Sequence, residues 1–376
     1  MQSFIQKQAV RDVMKLYMPT LVYNEPGCVV AHGKEICALG TKAMIVTGKH
    51  SSRINGSFQD VIHILEHENM PYVVYDDIEE NPSVETATKA AKMAVEEKVD
   101  FFVAVGGGSP MDASKAISLL AKNPDYIENA QTFFYGGPKL DWYPIVAIPT
   151  TSGTGSEVTP YSILTLHDSH TKASIGHRIF PNIALVDAGY LRTASYEGMV
   201  STCVDALAHL VESYLNTNAT FYSRLYAKEG LQIWGRVKDK LADENAFEQM
   251  TGEDYSLFMQ ASVMGGIAIA HTGTSLPHGL SYPVTYELHV PHGKAVGMFL
   301  LAFLKNYADM DGVNTVLNLL GFDGIESFEQ YMKMILGPVI IPEALWERDV
   351  ESLLNAPAKM ANYPFEMTAE ILKSFY

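Results

Sequence analysis

The chain has 376 residues, 47% hydrophobic and 19% charged, with 27 Lys and Arg against 43 Asp and Glu and a formal net charge of −16. That length buries a large core and divides into about two domains. The composition excludes a disordered or fibrous protein, and the acidic balance leaves no basic footprint for nucleic acid or an anionic membrane. Cys28, Cys37 and Cys203 are odd in number and lack CxxC spacing, as expected of a reducing cytoplasm. The first twenty residues hold no apolar signal-type region, and no stretch approaches 18 uninterrupted apolar residues. A cytoplasmic protein that neither crosses nor coats a membrane is the expectation.

Strands and helices alternate through the first half. Residues 42–47 (KAMIVT) read as a strand stopped by Gly48, and 55–66 show helical spacing of apolar positions. Residues 72–75 (YVVY) are a second strand, followed by an Ala- and Glu-rich helix over 84–97. Residues 101–105 (FFVAV) run into three glycines, and 110–121 resume helical periodicity. Residues 145–148 (IVAI) form a fourth strand, 158–166 and 171–175 resemble a hairpin, and 183–186 (IALV) add another strand. Continuous apolar strands separated by helices predict a parallel sheet covered on both faces. Beyond residue 192 the spacing is helical and no strand is predicted. The expected architecture is an α/β, Rossmann-like dinucleotide-binding domain over 1–192 and an all-α domain over 193–376.

Three loops of the first domain carry candidate chemistry. In "VAVGGGSPMDASKAI" (103–117) a strand meets a helix through glycines, which let backbone N–H groups and the helix dipole hold a pyrophosphate. The order GGGS departs from G-x-G-x-x-G, and a tight turn without ligand has the same appearance. "IPTTSGTGSEVTP" (148–160) gathers hydroxyls at the carboxyl end of the next strand, where open α/β sheets bind ligands, although a polar surface turn is similar. After the first strand stand Gly48, Lys49, His50, Ser51, Ser52 and Arg53, with no acid to repel a 2′-phosphate. This favours NADP(H) over NAD(H), unless the stretch is simply a solvated basic loop.

In the second half, Asp205 and His209 are four apart in "STCVDALAHLVESYL" and share a helix face. With Ser201 and Glu212 they could equally be the solvated stripe of an amphipathic helix. "SLPHGLSYPVTYELHVPHG" adds His278, His289 and His292, the first and last each followed by Gly. One carboxylate and three imidazoles suit Fe(II), Zn(II) or similar ions.

With these motifs in this order, the sequence resembles the iron-containing (group III) alcohol dehydrogenase family nearly end to end: GGGSPMDASKAI, IPTTSGTGSEVT, D-x3-H and H-x13-H. The resemblance implies a dehydroquinate synthase-like fold with a metal-binding helical domain. It implies Asp205, His209, His278 and His292 as ligands of a catalytic Fe2+, with Zn2+ as the alternative. It implies dinucleotide contacts at Gly107, Gly108, Ser109, Asp112, Thr150, Thr151 and Thr154, and Lys172 near the ribose. Gly48 stands where NAD-preferring members carry Asp, so Gly48 and Ser51 are assigned to the phosphate side of an NADP(H) site. Tyr282 stands where many members carry a histidine near the substrate. His289 matches no ligand and is read as a surface or supporting residue, and His271 as structural. The implied activity is metal-dependent interconversion of a primary alcohol and an aldehyde or ketone by a homo-oligomer, a dimer or larger. A glycerol dehydrogenase-like polyol oxidoreductase and a non-catalytic dinucleotide sensor are the competing readings. A synthase would need a basic cluster near 278–292, where Lys294 stands alone.

Overall fold

The computed structural model describes residues 14–169, 171–355 and 357–375. Its contacts divide the chain into two compact units, one of Met18–Ala194 and one of the residues from Ser195 onward together with 14–17.

The first unit holds β1 (Leu21–Asn24), β2 (Ala43–Thr47), β3 (Tyr72–Tyr75), β4 (Phe101–Gly106), β5 (Ile145–Pro149), β6 (Ile163–Leu166), β7 (Thr171–Ser174) and β8 (Ile183–Val186). Six of them form one parallel sheet in the order β1-β8-β5-β4-β2-β3. Strands β2, β4, β5 and β8 are buried at every residue, which is why they read as unbroken apolar runs. Alternate residues serve opposite faces. Met44, Val46 and Phe102 pack with α2 (Val84–Glu96) and α3 (Gly108–Lys122), whereas Ile45, Phe101 and Val103 pack with α1 (Ser57–His67). The chain goes from β2 outward to β3, then returns to the other side of β2 as β4, so the winding reverses between β2 and β4. That reversal is where doubly wound sheets open a ligand crevice.

Two expectations for this unit need amending. Strand β1 was not predicted: it is four residues long at an edge, its Leu21 is 48% exposed, and only its pairing with β8 defines it. The predicted hairpin exists as antiparallel β6 and β7, but 158–162 is not strand. Pro160 lacks an N–H for a ladder, and the Ser162 hydroxyl and Ile163 amide donate instead to the Asp112 carbonyl (2.6 Å) and carboxylate (2.9 Å).

The helix α3 starts without a side-chain cap, through Gly106 at φ +145° and Gly107. A Cβ on Gly108 would lie 2.7 Å from Thr154 Cγ2, so only glycine lets the loop after β4 pack on the loop after β5. A buried polar cluster fastens the same two loops. Lys115 Nζ, fully inaccessible, donates to the Ser156 carbonyl (2.8 Å), Ser156 Oγ (2.7 Å) and the Tyr161 carbonyl (2.6 Å). Ser156 Oγ donates to Asp112 Oδ1 at 2.5 Å, and Lys115 Nζ lies 3.7 Å from that oxygen. Burial pulls the lysine down to about 8 against the Asp112 and Glu157 charges, and pushes Glu157 up to about 7.

The second unit is helical, and no strand occurs among its described residues. Its α4 (Tyr196–Tyr214) is capped by Ser195, and α5 (Phe221–Val237) and α6 (Gly252–Thr272) open on capping boxes, Thr220 with Ser223 and Thr251 with Asp254. Then follow α7 (Leu276–Leu288), α8 (His292–Lys305), α9 (Glu343–Leu354) and α10 (Pro357–Ala361). Among the described residues no helix is long and apolar enough to cross a membrane.

Replacing Lys115 by Met would strand the Asp112 carboxylate among groups that cannot follow it to solvent. The variant is expected to lose about 3–5 kcal/mol of stability, read as a fall in the denaturant midpoint; an unchanged midpoint would remove Lys115 from the ledger of this fold.

Candidate metal centre and dinucleotide loops

Asp205 and His209 lie one turn apart on the same face of α4, and His278 lies in the first turn of α7. Helix α7 ends at His289, which adopts a left-handed conformation (φ 53°), and α8 begins three residues later at His292 behind Pro291. That tight connection returns His292 to His278. His289 itself is exposed and acts as the turn residue.

The four side chains meet at one atom. Asp205 Oδ1 lies 3.2 Å from His278 Nε2, 3.7 Å from His209 Nε2 and 3.8 Å from His292 Nε2. Ligand atoms of Asp205, His278 and His292 all lie within 4.8 Å of one another, a grouping that could hold a metal ion. His209 stacks on His278 with centroids 4.5 Å apart. Asp205, His209 and His278 are 3%, 5% and 2% exposed, whereas the His292 side chain is 26% exposed, so the cluster meets solvent on its His292 side.

Glu212, one further turn along α4 and fully buried, supports the cluster from behind. It accepts from His278 Nδ1 at 2.6 Å and from the Ser275 amide at the start of α7. Bonded this way, His278 turns Nε2 toward Asp205, the arrangement by which carboxylates orient metal-binding imidazoles. Burial alone would lower the His278 pKa, but the Glu212 charge and the hydrogen bonds to Asp205 and Glu212 raise it to about 9. For Asp205, burial would raise the pKa, and the three imidazoles reverse this and hold it well below the usual carboxylate range. Without a cation the cluster therefore keeps a proton on His278 where a metal would take its lone pair.

The surrounding residues divide between structure and site. His271 Nδ1 lies 2.8 Å from the Ile267 carbonyl and Nε2 accepts from the Tyr17 amide, which makes it a structural tie. Tyr282 stacks on His292, centroids 5.9 Å apart, with Lys359 Nζ 5.4 Å from the tyrosine ring. From sequence Glu212 stands only as a member of a possible solvated stripe, a reading its full burial overturns, and Lys359 does not stand out at all. Glu212 had a signal, since 205, 209 and 212 follow helical i, i+4, i+7 spacing; Lys359, far along the chain, had none.

In the sheet unit, Gly48 follows β2 and Gly107, Gly108 and Ser109 follow β4, on either side of the winding reversal. Thr151 and Thr154 back onto Gly107 and Gly108, and the Thr150 amide donates to the Gly106 carbonyl. Ser109 Oγ accepts from the Asn81 amide at 3.1 Å, and Lys172 Nζ donates to Asn81 Oδ1 at 3.0 Å. Asn81, missed in the sequence, thus links the two. The Asp112 carboxylate points into the buried cluster with Ser156, Ile163 and Lys115. Ser51 is exposed at the start of a short helical turn. The loop after β2 is not free of acids: Asp76 and Asp77, following β3, pair with Arg53 (2.8 Å) and Lys49 (2.7 Å). Sequence distance hid them, because β2 and β3 are neighbours only in the sheet.

Residues 19–188 match the sequence profile of iron-containing alcohol dehydrogenases, and residues 199–338 match the C-terminal profile of the same family. The crystal structure of an iron-containing alcohol dehydrogenase from Thermotoga maritima is similar at a TM-score of 0.89 and 36% identity, covering 97% of this chain and 98% of that one. The NADPH-dependent butanol dehydrogenase of Clostridium saccharobutylicum is 28% identical over 84% of this chain and 76% of its own. Aldehyde-alcohol dehydrogenase 2 of Entamoeba histolytica is 27% identical over 75% of this chain, which spans only 33% of that longer protein.

A raised histidine pKa stabilises the folded state below the ordinary value of 6.5, and the contribution is lost as pH rises through about 9. Chelator-treated protein should therefore lose thermal stability across that window. Glu212→Gln, which removes the charge that raises the pKa, should flatten the loss; parallel melting curves for the two proteins would contradict it.

Proposed function

The chain belongs to the iron-containing alcohol dehydrogenase family, an oxidoreductase family that implies a metal and a nicotinamide cofactor, and from that premise we propose that it interconverts a primary alcohol and its aldehyde, or the corresponding secondary alcohol and ketone. The observation that carries the proposal is the convergence of His209, His278 and His292 on one oxygen of Asp205. One anionic oxygen and three imidazole nitrogens, buried except at His292 and backed by Glu212, are a donor set for Fe2+, with Zn2+ as the alternative. A divalent ion there supplies Lewis acidity, favouring the alkoxide of an alcohol and polarising an aldehyde carbonyl. The protein's own part is to exclude water around Asp205 and His278 and to hold the His278 ring by its Nδ1 bond to Glu212. Gly107, Gly108 and Ser109, at the start of α3, offer backbone N–H groups to a pyrophosphate, and Lys172 is a candidate for the ribose. Thr150, Thr151 and Thr154 back this loop, and Asp112 acts by fixing its position.

For the coenzyme we propose NADP(H), with NAD(H) as the second choice. Gly48 leaves no acid at the strand end, and Ser51, Lys49 and Arg53 are near it. The Lys49–Asp77 and Arg53–Asp76 pairs do not defeat this reading. Surface pairs are worth about 0–1 kcal/mol each, and a phosphate gives arginine a stronger, forked partner.

Metal-loaded protein is expected to oxidise NADPH steadily with a short-chain aldehyde, followed at 340 nm, and to stop with chelator. Asp205→Ala or His278→Ala should abolish turnover while NADPH binding survives; full activity in either variant with the metal gone would refute the assignment. At Gly48 an added Cβ would lie 3.4 Å from the Ile78 carbonyl, an ordinary contact, so Asp fits there. Gly48→Asp should shift the ratio of kcat/KM toward NADH by at least about tenfold, 1.4 kcal/mol. An unchanged ratio would mean that the phosphate side lies elsewhere.

A further inference from the structure

The chemistry described so far does not use Lys359. Its aliphatic stem packs on α7 just beyond His278: a Cβ on Gly279 would lie 3.6 and 3.7 Å from Lys359 Cγ and Cβ. Its ammonium donates to Thr274 Oγ1 and lies 5.4 Å from the ring of Tyr282, which stacks on His292. The segment carrying it is pinned. Asn362 Nδ2 donates to the Thr274 carbonyl at 2.7 Å, Asn218 Nδ2 donates to Asn362 Oδ1 at 2.9 Å, and the Thr217 amide donates to the Asn362 carbonyl at 3.0 Å. The cation is therefore placed, not swinging on a surface.

Its charge is unmatched. An ammonium has three donors, and the Thr274 hydroxyl takes one. Among the described residues no carboxylate lies within ion-pair distance of Nζ, although the chain has 43 acidic side chains. The acid whose field reaches it, Glu212, already accepts from His278 and Ser275. Burial lowers the lysine to about 8 against that field, so it remains mostly protonated at neutral pH. A half-buried cation without counter-charge is expensive for a fold to keep, and a ligand carrying the missing anion would offset that cost.

We infer that Lys359 is a specificity-determining residue that binds an anionic oxygen group, a carboxylate, on the far end of the substrate from the reacting carbon, with Tyr282 as the wall beside the chain that joins them. The enzyme would then favour short oxo- and hydroxy-acids over neutral aldehydes and alcohols of equal length. This rests on the dehydrogenase reading above. The reaction is unchanged by it: the carbonyl carbon takes a hydride from the reduced nicotinamide and the oxygen takes a proton from water, giving the alcohol and the oxidised coenzyme.

The discriminating probes are 4-oxobutanoate and butanal, with the same four carbons and one carboxylate of difference. The metal-loaded protein is expected to show a kcat/KM at least about tenfold higher for 4-oxobutanoate, the size of one charge-assisted contact. Lys359→Met keeps the stem and removes the charge; it should cost about 10-fold or more on 4-oxobutanoate, carried by KM, and leave butanal within about twofold. Lys359→Arg should recover most of the loss. Equal effects of Lys359→Met on both substrates, or a wild-type protein that prefers butanal, would overturn the inference. Should Lys359→Met not fold, Lys359→Gln takes its place as the charge-removing variant, and a wild-type ratio near one counts against the inference by itself. Turnover of butanal without preference for the acid sinks the inference alone, whereas no turnover of either aldehyde sinks the dehydrogenase reading with it.

Discussion

A carboxylate as deeply buried as that of Asp205 has to be met by positive charge, and three histidines meet it. Their Nε2 atoms face one oxygen at 3.2–3.8 Å, which brings the His209 and His278 rings into a stack with centroids 4.5 Å apart. Helix α4 supplies the oxygen, one of the imidazoles and, a turn later, the supporting Glu212; the first turns of α7 and α8, which a short link joins, supply the other two imidazoles. The remaining helices of that unit bury this arrangement.

The sheet unit follows the same logic on a smaller scale. The loops after β4 and β5, the candidates for holding an anion, are tied from beneath. Lys115, Asp112 and Ser156 join the loop after β4 to the loop after β5 through a buried network, and Gly108 permits the close approach. Asp112 stabilises the scaffold with both carboxylate oxygens, one on Ser156 and one on the Ile163 amide.

What was legible in the sequence tracked the range of the interaction. Strands β2, β4, β5 and β8 announce themselves because burial on both faces demands apolar residues at every position. The pair Asp205 and His209 is a local, one-turn relation, and the two His-Gly pairs lie on helices joined by three residues, so their candidacy was readable too. Strand β1 was not, since four half-exposed residues carry no pattern and acquire a role only by pairing. The same limit hid Asp76 and Asp77 beside the loop after β2, Asn81 beneath Ser109, and Lys359 beside Tyr282. Each depends on a contact that spacing along the chain does not encode. His289 is the reverse case: conspicuous in a histidine-rich stretch, it proves to be the left-handed residue that ends α7.

The pairing of β1 with β8 joins segments about 160 residues apart, Leu21 against Ile183. During synthesis β1 therefore precedes its only sheet neighbour by the whole span between them, whereas β5 waits only for the segment from Pro149 to Ile183. Entropy of loop closure makes such a pairing slow to arrive. On that ground the edge closed by β1 is expected to form later than the pairings among β2, β4 and β5, and to stay open to mispairing for longer.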